Sequence, residues 1–371
     1  MLRTYKYRMY PNKSEERNLR ATLETCRWTY NSLLGLRKST YEQENRSLSK
    51  FDCNKVLAAW KQEQGNAALG SVHSQVLQNV SDRVDKAYQG FFRRVKKGEK
   101  PGFPRFRGLG WYDSFTYPQS GFSLRDNNQV LRLSKIGDVK IIYHRPIQGK
   151  INTCTIRRTP TNKWYVTFSC ELPDVEKVTH ISNPVGIDCG LNSFIKLSNG
   201  QTFDAMQFFR HAEEKISELH RKLSQYAKST PERRKARKRL ASCYEKVTNR
   251  RTDYAHHISK QLVENFDCLV FEDLSIDRML GNHRLAKSIQ DAAWNQLVQY
   301  TIYKAENAGR WVVLVDPKYT SQTCSACGRI SKKSLSDRWH KCECGCSMDR
   351  DENAAINILR LGLQPLKAPH S

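Results

Sequence analysis

Apolar and charged positions alternate from the first residue. Leu2, Tyr5, Tyr7 and Met9 interleave with Arg3, Lys6 and Arg8, which predicts a short strand that Pro11 ends. From residue 14 to about residue 97 the spacing becomes three and four. Leu19, Leu23, Cys26, Tyr30 and Leu33 share one helical face, and Val72, Val76, Leu77, Val80, Val84, Ala87, Tyr88 and Phe91 mark a later helix. Residues 96–107, where prolines, glycines, cations and aromatics mix, close this helical block. Strand character returns at 114–117, 130–133, 139–143, 151–158 and 164–170, with turn material at Asn127-Asn128 and Thr159-Pro160-Thr161-Asn162. The expected architecture is a small antiparallel barrel that the first strand joins, with the helical block inserted into it.

At Asn183-Pro184 the pattern changes to α/β. Residues 185–191 and 194–203 predict a hairpin turning at Asn199-Gly200, a type I′ signal. A basic helical region follows over 204–265 with a break at Pro231, then a buried strand at 268–271. A helix is expected over 285–308, with Ile289, Ala293, Leu297 and Tyr300 on one face and Gly309 as its stop. Residues 311–315 read as another buried strand, 352–361 as the last helix, and the tail beyond Leu363 as frayed. No internal repeat is visible.

Charge narrows the function. The formal net charge is +25 over 371 residues, and such self-repulsion implies a polyanionic partner, with nucleic acid the usual one. An anionic membrane fits less well, since the cations are spread along the chain and no lipidation motif accompanies them. No apolar run approaches the ~18 residues of a membrane span, and the basic, aromatic start has no apolar leader core, so a cytoplasmic chain with reduced thiols is expected.

Three acidic strings occupy the second half: Val185-Gly186-Ile187-Asp188-Cys189-Gly190-Leu191, Val270-Phe271-Glu272-Asp273-Leu274, and Asp349-Arg350-Asp351-Glu352-Asn353-Ala354-Ala355. Asp188 sits in a strand whose flanking glycines would admit a phosphate backbone. Glu272 ends a buried strand, and alternation allows only one of Glu272 and Asp273 to face a site there. Asp351 opens a helix whose alanines would let it lie close to a sheet. Three convergent carboxylates are what a two-metal phosphodiesterase needs to hold Mg²⁺ ions roughly 3.5–4 Å apart. A single carboxylate of this kind is more often a cap or a surface group; three in a strongly basic α/β half point to a metal-dependent nuclease.

Cys324-Ser325-Ala326-Cys327 and Cys342-Glu343-Cys344 have the spacing of a structural zinc site. The second half is one residue tighter than usual, which leaves Cys346 or His340 open as the fourth ligand. The other seven of the twelve cysteines, such as Cys53, Cys154 and Cys243, show no metal spacing. Arg233-Arg234-Lys235-Ala236-Arg237-Lys238-Arg239 is either a solvated face or a phosphate contact through Arg233, Arg234, Arg237 and Lys238. Phe103, Arg105, Phe106 and Arg107 could stack on bases or grip phosphates, or simply pack. Ser74, Gln75 and Gln78 could read base edges.

Read in order, Gly-Ile-Asp-x-Gly-Leu, Phe-Glu-Asp-Leu, Thr-Ser-Gln-x-Cys-x-x-Cys-Gly and Asp-Arg-Asp-x-Asn-Ala-Ala resemble the motifs of TnpB, the accessory protein of a class of insertion sequences. Tyr5 to Asn12 and Gly102 to Phe106 resemble that family's opening strand and mid-chain motif, so the likeness covers nearly the whole chain. It implies a multidomain α+β protein: a β-barrel wedge domain (1–12 and 108–182) with an inserted helical recognition domain (13–107), then an RNase H-like, RuvC-type α/β nuclease (183–318 and 347–371) with a zinc-ribbon insert (319–346). The family's three carboxylates map onto Asp188, Glu272 and Asp351, and its zinc ligands onto Cys324, Cys327, Cys342 and Cys344. The resemblance further implies a guide RNA from the transposon end, a double-stranded DNA target cut beside a short motif, and action as a monomer with bound RNA. An RNA-guided regulator that does not cleave and a strand-transfer transposase are the competing readings.

Overall fold

A computed structural model describes residues 1–190, 193–274, 294–331, 333 and 337–367. The chain forms two compact units, Met1–Pro173 and Asp174–Ser371.

In the first unit, β1 (Leu2–Tyr10) leads into helices α1 (Lys13–Glu44), α2 (Lys50–Trp60), the single turn α3 (Ala67–Gly70) and α4 (Ser74–Lys96). Six further strands follow: β2 (Ser114–Tyr117), β3 (Phe122–Arg125), β4 (Val130–Leu133), β5 (Gly137–Ile142), β6 (Lys150–Arg158) and β7 (Trp164–Glu171). They form one antiparallel sheet in the order β2-β6-β7-β1-β5-β4-β3. The first strand therefore holds the middle of the sheet, paired with β7 over Leu2↔Glu171 to Met9↔Trp164 and with β5 over Arg8↔Ile142 to Tyr10↔Lys140. The sheet's two edges, β2 and β3, are joined by residues 118–121 but are not paired with each other, so the described strands form an open seven-stranded sheet where a closed barrel was expected. Alternation sends Tyr5, Tyr7, Met9, Trp164, Val166 and Phe168 inward; Leu2, expected among them, is exposed.

Helices and sheet share one hydrophobic core, because Leu19, Leu23, Cys26, Tyr30 and Leu33 of α1 and Val76, Val80 and Val84 of α4 are buried in the same cluster. Asn12 starts α1 with a reciprocal cap: its side chain accepts from the amides of Ser14 and Glu15, and Glu15 accepts from the Asn12 amide. Strand β3 has no counterpart in the sequence reading; it alternates only between half-buried and exposed positions, with no fully buried residue.

In the second unit, β8 (Pro184–Cys189), β9 (Ser193–Leu197), β10 (Thr202–Asp204), β11 (Cys268–Glu272) and β12 (Trp311–Val315) form a mixed sheet in the order β10-β9-β8-β11-β12. β8, β11 and β12 run parallel, and β9 and β10 are antiparallel additions. Two hairpins replace the single one expected. β8 turns into β9, and Asn199-Gly200 joins β9 to β10, where Gly200 alone takes a left-handed φ of +87°, which rules out type I′. β12 lies at the sheet edge with Leu314 exposed, so it is less buried than its apolar run suggested.

The basic region is a strand end, a loop and two helices, α5 (Glu213–Gln225) and α6 (Pro231–Asn265). Pro231 opens α6 behind the Thr230 cap. Helix α7 (Trp294–Asn307) stops before Gly309, whose φ is +65°. The expected start of that helix, with Ile289 and Ala293, lies outside the described residues. The last helix, α8 (Arg350–Lys367), begins earlier and runs further than expected. Between β12 and α8, a small hairpin pairs β13 (Trp339–Lys341) with β14 (Ser347–Asp349). No described helix is long and apolar enough to cross a membrane.

Candidate nuclease centre and zinc loop

Strand parity builds the site. Cys268 and Val270 of β11 pack against Ile358 of α8, while Leu269 and Phe271 pack with Ile258, Leu262 and Leu297 of α6 and α7 on the other face. Even-numbered residues of β11 therefore face α8, and Glu272 is the next of them. β8 runs beside β11 in the register Val270↔Gly186 and Phe271↔Ile187, so Asp188 falls next to Glu272 as the strands end. Asp273 has the opposite parity and is exposed.

The third carboxylate arrives on α8. Asp349 caps this helix, accepting from the amides of Asp351 (3.0 Å) and Glu352 (3.1 Å), and so fixes the turn that carries Asp351. Helix and sheet touch through backbone. A Cβ on Gly186 would lie 2.0 Å from the Ala355 carbonyl oxygen, and one on Gly362 would lie 2.4 Å from a Val270 methyl. Gly186 thus makes room for α8, which corrects its expected role of admitting a phosphate. Gly190 ends β8 beside Asp351, whose Oδ2 is 3.5 Å from where a Cβ would stand.

Asp188 feels both of the other carboxylates. Burial pushes Asp188 well above the usual carboxylate range; Glu272 and Asp351 push it further and Arg350 opposes them. Burial also raises Glu272, against a 2.5 Å hydrogen bond donated by the Thr320 hydroxyl. Asp188 and Glu272 stand side by side at the strand ends with Asp351 acting on Asp188, a set of oxygen donors of the kind a hard divalent cation takes, though these oxygens are not drawn within the 4.8 Å that the cysteine sulfurs keep. Lys196 pairs across from Asp188 on β9 and contacts Glu352 at 3.7 Å, and Arg350 pairs with Asp351 at 3.5 Å, so cations border the carboxylates on two sides.

The cysteine loop brings together the four sulfurs named from sequence. The Cys324–Cys344 and Cys327–Cys342 sulfurs are 3.7 and 3.6 Å apart, and all four lie within 4.8 Å of one another. A tetrahedron with Zn–S bonds of about 2.3 Å has edges of about 3.8 Å, so the set fits zinc. Gly328 and Gly345, each just after a ligand pair, take left-handed φ values of +79° and +89° that close the two knuckles. Cys324 also groups with His340 and Cys346.

Cys324 and Cys344 are pushed in opposite directions. Burial raises Cys324, but hydrogen bonds from the Cys327 and Ala326 amides and the His340 ring bring it to about 5. The Cys346 amide favours a Cys344 thiolate, yet the Cys327 and Cys342 sulfurs beside it push it up to about 12. A dication removes this conflict.

The candidate nucleic-acid contacts are divided. Arg234, Arg237 and Lys238 are exposed on α6. Arg233 is instead engaged by the Leu223 and Tyr226 carbonyls at 2.8 and 2.7 Å, where it caps the end of α5. Gln75 accepts from both the amide and the hydroxyl of Ser120, and Ser74 accepts from Lys61; Gln78 is exposed. Arg105 is exposed, and Arg107 lies over the Tyr30 ring while its backbone is clasped by Asn31.

Residues that spacing did not single out are Thr320 and the α8 asparagines Asn353 and Asn357. The only signal for Thr320 and Asn353 is their place inside the Thr-Ser-Gln and Asp-x-Asn strings, and Asn357 lies beyond both.

Sequence comparison matches three family profiles: "Probable transposase" over residues 167–283, "Cas12f1-like, TNB domain" over 294–358 and "Helix-turn-helix domain" over 1–46. The last segment folds here as β1 and the single helix α1. A "Putative RNA-guided DNA endonuclease" of Streptomyces pristinaespiralis is 32% identical over 367 residues, covering 97% of this chain and 89% of that protein. The chain belongs to the TnpB family. Another TnpB-type relative, "Putative RNA-guided DNA endonuclease InsQ" of Escherichia coli K12, is 28% identical across 97% of the chain and 92% of its own length. Among solved structures, a Cas12f1 from a complex titled with sgRNA and target DNA shares the fold, with a TM-score of 0.57 at 13% identity over 94% of this chain and 83% of that one.

Proposed function

We propose that this TnpB-family chain is an RNA-guided, Mg²⁺-dependent endonuclease of double-stranded DNA that works for a transposable element. The observation that carries the reading is Asp188 beside Glu272 at the carboxyl ends of two parallel strands, with Asp351 of α8 acting on Asp188, in a chain of net charge +25 whose relatives are named RNA-guided endonucleases. The first unit takes the wedge and recognition roles and the second the RuvC-like nuclease role, with the zinc loop as a structural insert. The guide is an RNA from the transposon end, the chain acts as a monomer on it, and the heteroduplex is held through its backbone.

A bound Mg²⁺ would supply Lewis-acid activation of a water nucleophile and charge stabilisation at the leaving 3′ oxygen. Asp188, Glu272 and Asp351 are the residues that would hold it. Asp349 caps the turn that carries Asp351, and the close α8–β8 packing fixes that helix against the strand of Asp188. One centre of this kind cuts both strands in turn. The test is plasmid cleavage with a reprogrammed guide, comparing the wild type with Asp188→Asn. Loss of cleavage with RNA and DNA binding retained supports the reading. Cleavage that survives the substitution overturns it, and an intact biological effect without cleavage favours a guided regulator.

A further inference from the structure

The zinc loop and the carboxylate centre are joined by one side chain. Thr320 is only 4% exposed, and its hydroxyl donates to Oε1 of Glu272 at 2.5 Å. The Pro317 carbonyl is a second acceptor at 3.1 Å, but a hydroxyl has a single proton, and an ionised carboxylate is the stronger acceptor.

Thr320 is itself held by α8. Asn357 donates to the Thr320 carbonyl at 2.9 Å and to the Thr323 carbonyl at 2.7 Å. Asn353 donates to the Thr323 carbonyl at 2.8 Å and accepts from the Ser325 amide at 2.9 Å, next to the ligand Cys324. Both asparagines are buried, where polar groups are costly without partners, and every one of these bonds goes to loop backbone. The same helix carries Asp351 two residues before Asn353. An unbroken chain of contacts thus runs from Glu272 through Thr320 and Asn357 to the helix of Asp351, tying together the elements of the two carboxylates that both act on Asp188.

We propose that Thr320 is a positioning residue for the Glu272 carboxylate, so that the cysteine loop is a supporting wall of the catalytic metal centre as well as a separate insert. This rests on the three carboxylates being that centre. Outer partners that orient metal-binding carboxylates are worth about 10–100-fold in metal affinity.

The experiment is Mn²⁺ titration of the full, zinc-loaded chain followed by electron paramagnetic resonance, with zinc content measured by atomic emission. Thr320→Val is expected to weaken Mn²⁺ binding by about 10–100-fold with zinc retained, and Thr320→Ser to restore it. Asp188→Asn removes the site and calibrates the signal. Wild-type Mn²⁺ affinity in Thr320→Val overturns the proposal while leaving the carboxylate centre standing. Zinc loss in Thr320→Val, or failure of serine to rescue, assigns Thr320 to folding of the loop and also overturns it. Equal binding by wild type and Asp188→Asn means that the carboxylate reading itself has failed.

Discussion

Replacing Gly186 by alanine adds one methyl group where there is no space. The new Cβ would stand 2.0 Å from the Ala355 carbonyl oxygen and 2.7 to 2.8 Å from the amide nitrogen and Cβ of Leu359, whereas real Cβ atoms keep at least 3.0 Å. The obstacles are mostly helix backbone, which cannot rotate away, so α8 must retreat from β8 by about 1 Å, the gap between 2.0 and 3.0 Å. Overpacking of this kind costs about 1–3 kcal/mol. For a unit of this size that is a fall in Tm of roughly 2–12 °C. The backbone effect has the opposite sign, since alanine in a strand is favoured over glycine by about 0.5–1 kcal/mol, so a merely tolerated methyl would raise Tm. Because α8 carries Asp351, a shift of ~1 Å is also expected to slow cleavage by about a hundredfold. Thermal unfolding by circular dichroism and single-turnover plasmid cleavage measure the two effects. Gly65→Ala, where nothing lies within 4 Å of the added atom, is the control. An unchanged or raised Tm with wild-type cleavage in Gly186→Ala would refute the claim that backbone contact positions the third carboxylate.

Other expectations follow from the charges and the sulfurs. Burial and the neighbouring carboxylates raise Asp188 and burial raises Glu272, so the folded chain binds protons there more readily than the unfolded one; without divalent ions, stability is favoured at low pH and lost as pH rises through the raised values. Asp188→Asn should therefore raise the metal-free Tm at pH 8 and lose that advantage near pH 4, and the same Tm gain at both values would contradict the assignment. Cys344→Ser should lower the zinc content measured by atomic emission while Cys346→Ser keeps one zinc per chain, because the Cys344 sulfur sits in the four-sulfur cluster; the reverse result would hand the fourth position to Cys346. Alanine at exposed Arg234, Arg237 or Lys238 should reduce the salt slope of RNA binding by about one per phosphate contact, whereas Arg233→Ala should chiefly lower Tm through the lost cap on α5. A salt slope unmoved by all three would make that run a solvated face. Asn12→Ala should cost about 1 kcal/mol of stability through loss of the α1 cap, read as a lower denaturation midpoint.

What could be read from sequence alone was whatever a short window carries. The inward residues of β1, the buried stripe of α1 and the break at Pro231 are local periodicity and turn chemistry. The cysteine pairs are likewise legible, because a metal demands its ligands at fixed spacing. The acidic strings named Asp188, Glu272 and Asp351, since strand ends and helix starts leave local signatures. Tertiary structure decided how they meet. Sheet order set β8 beside β11, register set Asp188 beside Glu272, and parity chose Glu272 over Asp273 once α8 had taken one face. Gly186 carries no local sign of whether the atom near it is a phosphate or a helix carbonyl, and only packing showed the helix. Arg233 reads like its neighbours until the turn from α5 brings two carbonyls to it. Thr320 is 48 residues from the carboxylate it contacts, and pairings at that separation depend on the path of the chain rather than on any window of residues.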